Sequence, residues 1–126
     1  MLRDDQAANG AYPMWSPSPK GLGWGTSTPT PGWADAGVML PYVSFLHTGG
    51  ASVVDDNWAA MTAYLEGILA ANPDGLWKEG RGADLGDWLA LDAKQPGDET
   101  TPKPLIATAM LARSLDQMAR MPSSQR

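Results

Sequence analysis

Hydrophobic positions along this chain gather into three blocks, separated by stretches rich in proline and glycine. In the first, residues 33–47 (WADAGVMLPYVSFLH), Val38, Met39, Leu40, Tyr42, Val43, Phe45 and Leu46 fall on nearly every face of a helix. A helix apolar all round is enclosed on all sides. The pattern therefore predicts a buried helix, bent where Pro41 removes a backbone hydrogen bond and ended by Thr48-Gly49-Gly50. The second block, 52–71, is amphipathic: Val54, Trp58, Met61, Leu65 and Ile68 recur at intervals of 4, 3, 4 and 3 residues, the helical period. Ser52 and Asp55 resemble a capping box with Asp in place of Glu, and Asn72-Pro73-Asp74-Gly75 is a stop.

The third block, 102–121, opens with Thr101 as N-cap and Pro102 at the first helical position and closes before Pro122. Its expected inward stripe is Leu105, Ala109, Ala112, Leu115 and Ala119, flanked by Ile106, Leu111 and Met118; the small residues imply close helix packing. No run of five or more residues alternates with β-branched content, so the fold class is all-α.

Between the blocks, residues 10–32 carry Pro13, Pro17, Pro19, Pro29 and Pro31. Each biases its predecessor toward extended backbone, so this is a long loop, and loops of that length are commonly functional. Residues 76–99 form a second loop with a single helical turn near 86–91. Residues 1–9 read as a disordered or loosely attached leader, 10–121 as the domain and 122–126 as a tail.

Composition narrows the function. The net charge of −5 and the absence of a basic stripe argue against nucleic acid. With no cysteine there is no disulfide, thiolate zinc site or Cys nucleophile. The single histidine, His47, follows an apolar helix and is read as contacting the last carbonyls; one histidine makes a Ser-His-Asp triad improbable and rules out a multi-histidine metal site. No apolar run approaches the ~18 residues of a membrane span, so no membrane partner is expected, and the polar, acidic start MLRDDQAANG is unlike a signal peptide. The default location is the cytoplasm. Asp84, Asp87 and Asp92 do not follow the spacing of a calcium loop, and GLGWG at 21–25 lacks the strand that a dinucleotide loop requires. No cofactor is expected.

Six tryptophans against one phenylalanine is the unusual feature. Trp15, Trp24, Trp33, Trp77 and Trp88 fall in or beside the loop stretches; only Trp58 sits in a clear helical pattern. Two pairings in the loop stretches raise a question: Trp33 stands two residues before Asp35, and Trp88 directly follows Asp87. Two readings of these pairs are open. In one, the indoles anchor loops, Asp35 favours the positive end of a helix dipole, and Asp87 belongs to a solvated turn. In the other, indole faces and carboxylates together suit a sugar, whose C–H faces and hydroxyls match them.

Three stretches in order, PGWADAGVMLPY (31–42), DLGDWLALD (84–92) and TPKPLIATAMLARS (101–114), resemble the catalytic domain of bacterial α-L-rhamnosidases. The intervening DDNWAAMTAYLEGILAANPDGLW (55–77) is similar to an outer helix of that family, and NGAYPMWSPSP (9–19) to a preceding loop. The resemblance spans roughly residues 9–121. It implies a partial six-hairpin (α/α) barrel in which inner and outer helices alternate, with 33–47 and 102–121 inner and 52–71 outer. It also implies inverting hydrolysis of terminal α-L-rhamnose by two carboxylates about 6.5–9.5 Å apart. Trp33 and Trp88 look like tryptophans that pack on the sugar, and Asp35 and Asp87 like rim acceptors for its hydroxyls.

The chain departs from the family where the chemistry lies. The general acid belongs to an acidic, Arg-containing stretch well upstream of the Gly-Trp motif, where only Asp4 and Asp5 stand here; the general base lies downstream of the TPK helix. The expectation is a fragment, inactive alone, of an enzyme acting on a rhamnose-containing carbohydrate: either a truncated gene product or a split portion whose remaining barrel is on another chain. The alternatives are a small non-catalytic sugar-binding or helper module and a degenerate remnant that self-associates.

Overall fold

The computed structural model describes residues 2–18, 27–95 and 98–124; Trp24 and the GLGWG stretch lie outside them. Three helices account for the regular structure: α1 (Ala36–Thr48), α2 (Ser52–Ala71) and α3 (Lys103–Arg120), preceded by one 3₁₀ turn at Leu2–Asp5. There is no strand among the described residues, as the pattern predicts. α1 and α2 form a helical hairpin. Its corner turns on Gly49, whose φ of 69° lies in the left-handed region and whose N–H donates to the Phe45 carbonyl at 2.8 Å, the usual way a glycine closes a helix. α1 packs against both α2 and α3.

The core lies where these helices meet: Val38 of α1; Val54, Met61, Tyr64, Leu65 and Ile68 of α2; and Ala107 and Leu111 of α3. Two large side chains enter it from loops. Trp77 is fully buried, donates its backbone N–H to Thr108 Oγ1 at 3.0 Å, and sets its ring edge against Tyr64, the centroids 6.5 Å apart. Asn72 returns the chain to that point. Its Oδ1 accepts from the N–H groups of Lys78 and Glu79 at 2.8 and 2.9 Å, and its Nδ2 donates to the Ile68 carbonyl at 2.9 Å. Tyr12 enters from the N-terminal segment, its ring 5.0 Å from that of Tyr64 and flat against Gly37.

Four sequence-based expectations differ in detail. α1 is buried on one face only: Gly37, Val38 and Pro41 face inward, while Leu40 and Leu46 are more than half exposed. The stripe expected to face inward on α3 faces out. Leu105, Ala109, Ala112, Leu115 and Ala119 are all exposed, and the buried row is Ala107, Leu111, Ser114 and Gln117. The helix is rotated to bring a polar residue, Ser114, to a buried acceptor described below. Neither predicted cap operates. α2 starts from Ala51 and α3 from Pro102, each without a side-chain cap, and Asp55 Oδ1 instead accepts from Ser123 Oγ and the Ser124 N–H in the C-terminal segment. Residues 2–9, expected to hang loosely, dock on α2: Gln6 Nε2 donates to the Ala60 carbonyl at 2.8 Å, and Asp5 accepts from Ser16 Oγ at 2.6 Å.

The Tyr12–Gly37 contact generates a prediction. A Cβ on Gly37 would sit 2.2 Å from Tyr12 Cε2, and the ring, 1% exposed, would have to shift to admit it. Gly37→Ala, which would help an isolated helix, is therefore expected to destabilise this chain by about 1–3 kcal/mol through overpacking, read as a lowered urea midpoint. An unchanged or raised midpoint would show that the ring yields.

Candidate functional site

The turn entering α1 is built from backbone geometry. Gly32 has a φ of 81°, which a side-chain-bearing residue rarely adopts. Its N–H donates to Asp35 Oδ2 at 2.7 Å, and the N–H groups of Trp33 and Ala34 both donate to the Thr30 carbonyl. This tight turn directs alternate residues differently: Thr30, Ala34 and Asp35 are buried, whereas Trp33 is 43% exposed.

Asp35, expected at a pocket rim, is instead only 3% exposed. Besides the Gly32 N–H on Oδ2, its Oδ1 accepts from the Tyr64 hydroxyl at 3.1 Å and from Ser114 Oγ at 3.0 Å. One carboxylate thus ties the α1 entry turn to α2 and α3. Burial, the largest influence, pushes its carboxyl above the usual 3.8, against the opposing pull of the hydrogen bonds from Gly32, Ser114 and Tyr64.

Asp87 is likewise engaged within the chain. Oδ2 accepts from Thr100 Oγ1 at 2.7 Å and from the Thr101 N–H at 3.0 Å, closing the loop just before α3. The Thr100 hydroxyl, the strongest influence, holds its carboxyl below the usual range. Asp84 is paired with Arg81. Asp35, Asp84 and Asp87 therefore each have partners inside the fold.

Trp33 lines a cavity of about 760 Å³ that runs along one flank of α1. Its walls are Ala36, Leu40 and Ser44 of α1, Val53 and Asn57 of α2, and Tyr12, Met14 and Trp15 of the N-terminal segment, with Arg3 its only charged residue. The Tyr12 hydroxyl is buried without a hydrogen-bond partner among the described residues, and desolvation pushes its pKa up. Trp88, also 43% exposed, lines a separate depression of about 350 Å³ formed by Gly86–Ala90. The two linings share no residue, so the two tryptophans are not brought into one pocket. Sequence reasoning missed Tyr12, Leu40 and Asn57 as lining residues. The available signal was a Tyr inside the Pro- and Trp-bearing loop and a polar Asn beside Trp58 on an amphipathic helix. Among the described residues no group of three or more potential ligands could hold a metal ion, and no helix is long and apolar enough to cross a membrane.

The chain is an all-α unit, a two-helix hairpin followed by a third helix and entered through a Gly-Trp turn, and comparison with known proteins identifies the larger fold to which it belongs. The bacterial α-L-rhamnosidase six-hairpin glycosidase domain matches residues 1–126, and the chain belongs to this family. It is 37% identical over 120 residues to an α-L-rhamnosidase from Streptomyces avermitilis, an alignment covering 95% of this chain and 10% of that protein. It is 28% identical over 128 residues to an α-L-rhamnosidase from an Alteromonas species, covering 90% of this chain and 12% of the relative. The crystal structure of the Streptomyces avermitilis α-L-rhamnosidase complexed with L-rhamnose superposes with a TM-score of 0.75 at 32% identity, over 95% of this chain and 10% of that one. The 126 residues thus span about a tenth of the length of these relatives.

The Asp35 node generates the second prediction. Asp35→Ala strands a backbone N–H and two hydroxyls in the interior, at about 1–3 kcal/mol for each donor left unpaired, so it should destabilise far more than Asp35→Asn, which keeps the shape and part of the bonding. A carboxyl raised in the folded state holds its proton to higher pH than in the unfolded chain. Its contribution to stability is therefore fullest below about 3.8 and is lost as pH rises through the raised folded value. Urea titrations across that window should show wild type losing stability relative to Asp35→Asn as pH rises. Titration of Asp5, Asp55, Asp74 and Asp87, all lowered, cancels in the comparison. A difference independent of pH would remove the raised carboxyl.

Proposed function

We propose that these residues form one hairpin and the next inner helix of an α-L-rhamnosidase catalytic domain. In this reading they supply sugar-facing tryptophans while both catalytic carboxylates come from outside the 126 residues. The observation that carries the reading is the family match over the whole chain together with an L-rhamnose-bound structural neighbour at 32% identity. The local chemistry supports the division of labour. Inverting hydrolysis needs an acid and a base free to exchange protons with the glycosidic oxygen and a water. Asp35, Asp84 and Asp87 are each committed to partners in the fold. Trp33 and Trp88 present exposed indole faces, which suit the apolar side of a deoxy sugar. Asp35 serves this site by holding the turn that turns Trp33 outward, and Asp87 by closing the loop that carries Trp88.

The test is a chimera in which residues 1–126 replace the matching tenth of the Streptomyces avermitilis enzyme. The chimera should hydrolyse an aryl α-L-rhamnoside, and the isolated chain should release no rhamnose. Trp33→Ala in the chimera should lower kcat/KM about tenfold or more, the loss of roughly 1.4 kcal/mol of stacking. A folded but inactive chimera, or hydrolysis by the isolated chain, would overturn the assignment.

A further inference from the structure

Asn9 is the one asparagine of the chain that is followed by glycine. Asn72 precedes Pro73, which has no backbone N–H to give up, and Asn57 precedes Trp58 inside α2, where the peptide is fixed in the helical ladder. An Asn-Gly pair is chemically labile because no side chain shields the next amide nitrogen from the Asn amide carbon. Asn9 is exposed to water, whereas Gly10 is buried. The fold holds the polar groups that cyclisation would have to move. The Gly10 N–H donates to the Ala7 carbonyl at 2.9 Å, and the Gly10 carbonyl accepts from Gln6 Nε2 at 2.7 Å. Asn9 Nδ2 donates to the Ser27 carbonyl at 2.9 Å, and its Oδ1 accepts from the Ala11 N–H at 3.2 Å. These contacts depend on the seating of the N-terminal segment: Gln6 Nε2 also donates to the Ala60 carbonyl of α2, and Asp5 accepts from Ser16 Oγ and the Ser18 N–H.

We propose that Asn9–Gly10 is a deamidation site gated by this seating, closed while the segment lies on α2 and open when it lifts. In the lifted state the Gly10 nitrogen gives its proton to solvent and attacks Asn9 Cγ. The N–Cγ bond forms, the Cγ–Nδ2 bond breaks, and Nδ2 takes a proton from solvent and leaves as ammonia. Water then opens the cyclic imide at either carbonyl. One opening gives aspartate; the other gives isoaspartate, in which the main chain runs through the former side chain. No oxidant or reductant takes part. Isoaspartate adds a methylene to the main chain immediately before Gly10, where a Cβ would already fall 2.5 Å from the Ala63 carbonyl oxygen. A backbone that close to α2 has to shift to accept the added atom, so the converted segment does not reseat. Tyr12, Met14 and Trp15, which line the cavity along α1, leave with it. Lifting is reversible before the imide forms and permanent afterwards.

The experiment ages the full chain in mildly alkaline buffer and follows Asn9 by peptide mapping, which separates aspartate from isoaspartate. Folded wild type should convert about tenfold or more slowly than the same chain in urea, the ratio being set by how rarely the segment opens. Asp5→Ala and Gln6→Ala release the segment at different contacts. Each should speed conversion of the folded chain while leaving the rate in urea as in wild type. The purified isoaspartate chain should lose hydrogen-exchange protection at the Tyr12, Met14 and Trp15 amides. Folded wild type converting at its urea rate, which needs no variant to read, would overturn the gate, as would two variants that convert no faster than wild type. An isoaspartate chain with wild-type protection at those amides would overturn the permanent release.

Discussion

A buried carboxylate organises this fold. Taking Asp35 out of water is costly unless its oxygens are matched by donors, and the structure provides one from each surrounding element: the Gly32 N–H, the Tyr64 hydroxyl of α2 and Ser114 Oγ of α3. Because the three donors come from three places, the node sets more than local geometry. It fixes the rotation of α3 about its own axis, since Ser114 must point inward, and it fixes the turn that leaves Trp33 exposed beside a buried Ala34. Hydrogen bonds to a charged acceptor are directional as well as strong, so the node specifies an arrangement that apolar contacts alone would leave open to rotation.

The N-terminal segment is held by a different device, the close approach of backbone to backbone and of ring to backbone. Gly10 lies so near α2 that a Cβ there would fall 2.5 Å from the Ala63 carbonyl oxygen, and Gly37 admits the Tyr12 ring. These two glycines let residues 10–15 lie across the α1–α2 hairpin. Tyr12, Met14 and Trp15 thereby line the cavity along α1 instead of being solvated loop residues. The segment that would read as a connector is part of the wall of the cavity along α1.

How much of this was legible in the sequence depends on the kind of force involved. The three helices follow from hydrophobic period and from Pro and Gly punctuation, and α2 runs over Ser52–Ala71, the limits its spacing predicts. The rotation of α3 was not legible. Counting apolar positions selects Leu105, Ala109, Ala112, Leu115 and Ala119, whereas the helix turns its Ser114 row inward to meet a carboxylate nearly eighty residues earlier in the chain. The exposed tryptophans at 33 and 88 were legible as candidates because Trp in loops is uncommon in a chain with one Phe. The fates of Asp35 and Asp87 were not. Whether a carboxylate faces a ligand or a backbone N–H depends on a turn of three or four residues and on long-range donors, neither of which leaves a periodic trace.

The surplus of apolar stripes has a single geometric reading. An amphipathic helix at the surface of a closed domain needs one apolar face, yet α1 carries Leu40, Val43 and Leu46 outside its buried face, and α3 carries Leu105 and Leu115 outside its own. α1 and α3 are neighbours, so two inner helices side by side leave one open flank each, at opposite ends of the pair. A closed ring of six hairpins has no such flanks; a run of two inner helices cut from it has two. Exposed apolar area of this kind drives association, so the same residues that would close the ring in a complete domain become, when the neighbouring hairpins are absent, the surfaces most prone to self-contact. α2 differs: its buried residues, Val54, Met61, Tyr64, Leu65 and Ile68, form one stripe, and no large hydrophobic side chain on it is exposed, as the resemblance implies for an outer helix. Inner helices with two apolar flanks and an outer helix with one are what a ring of helical hairpins requires of its members.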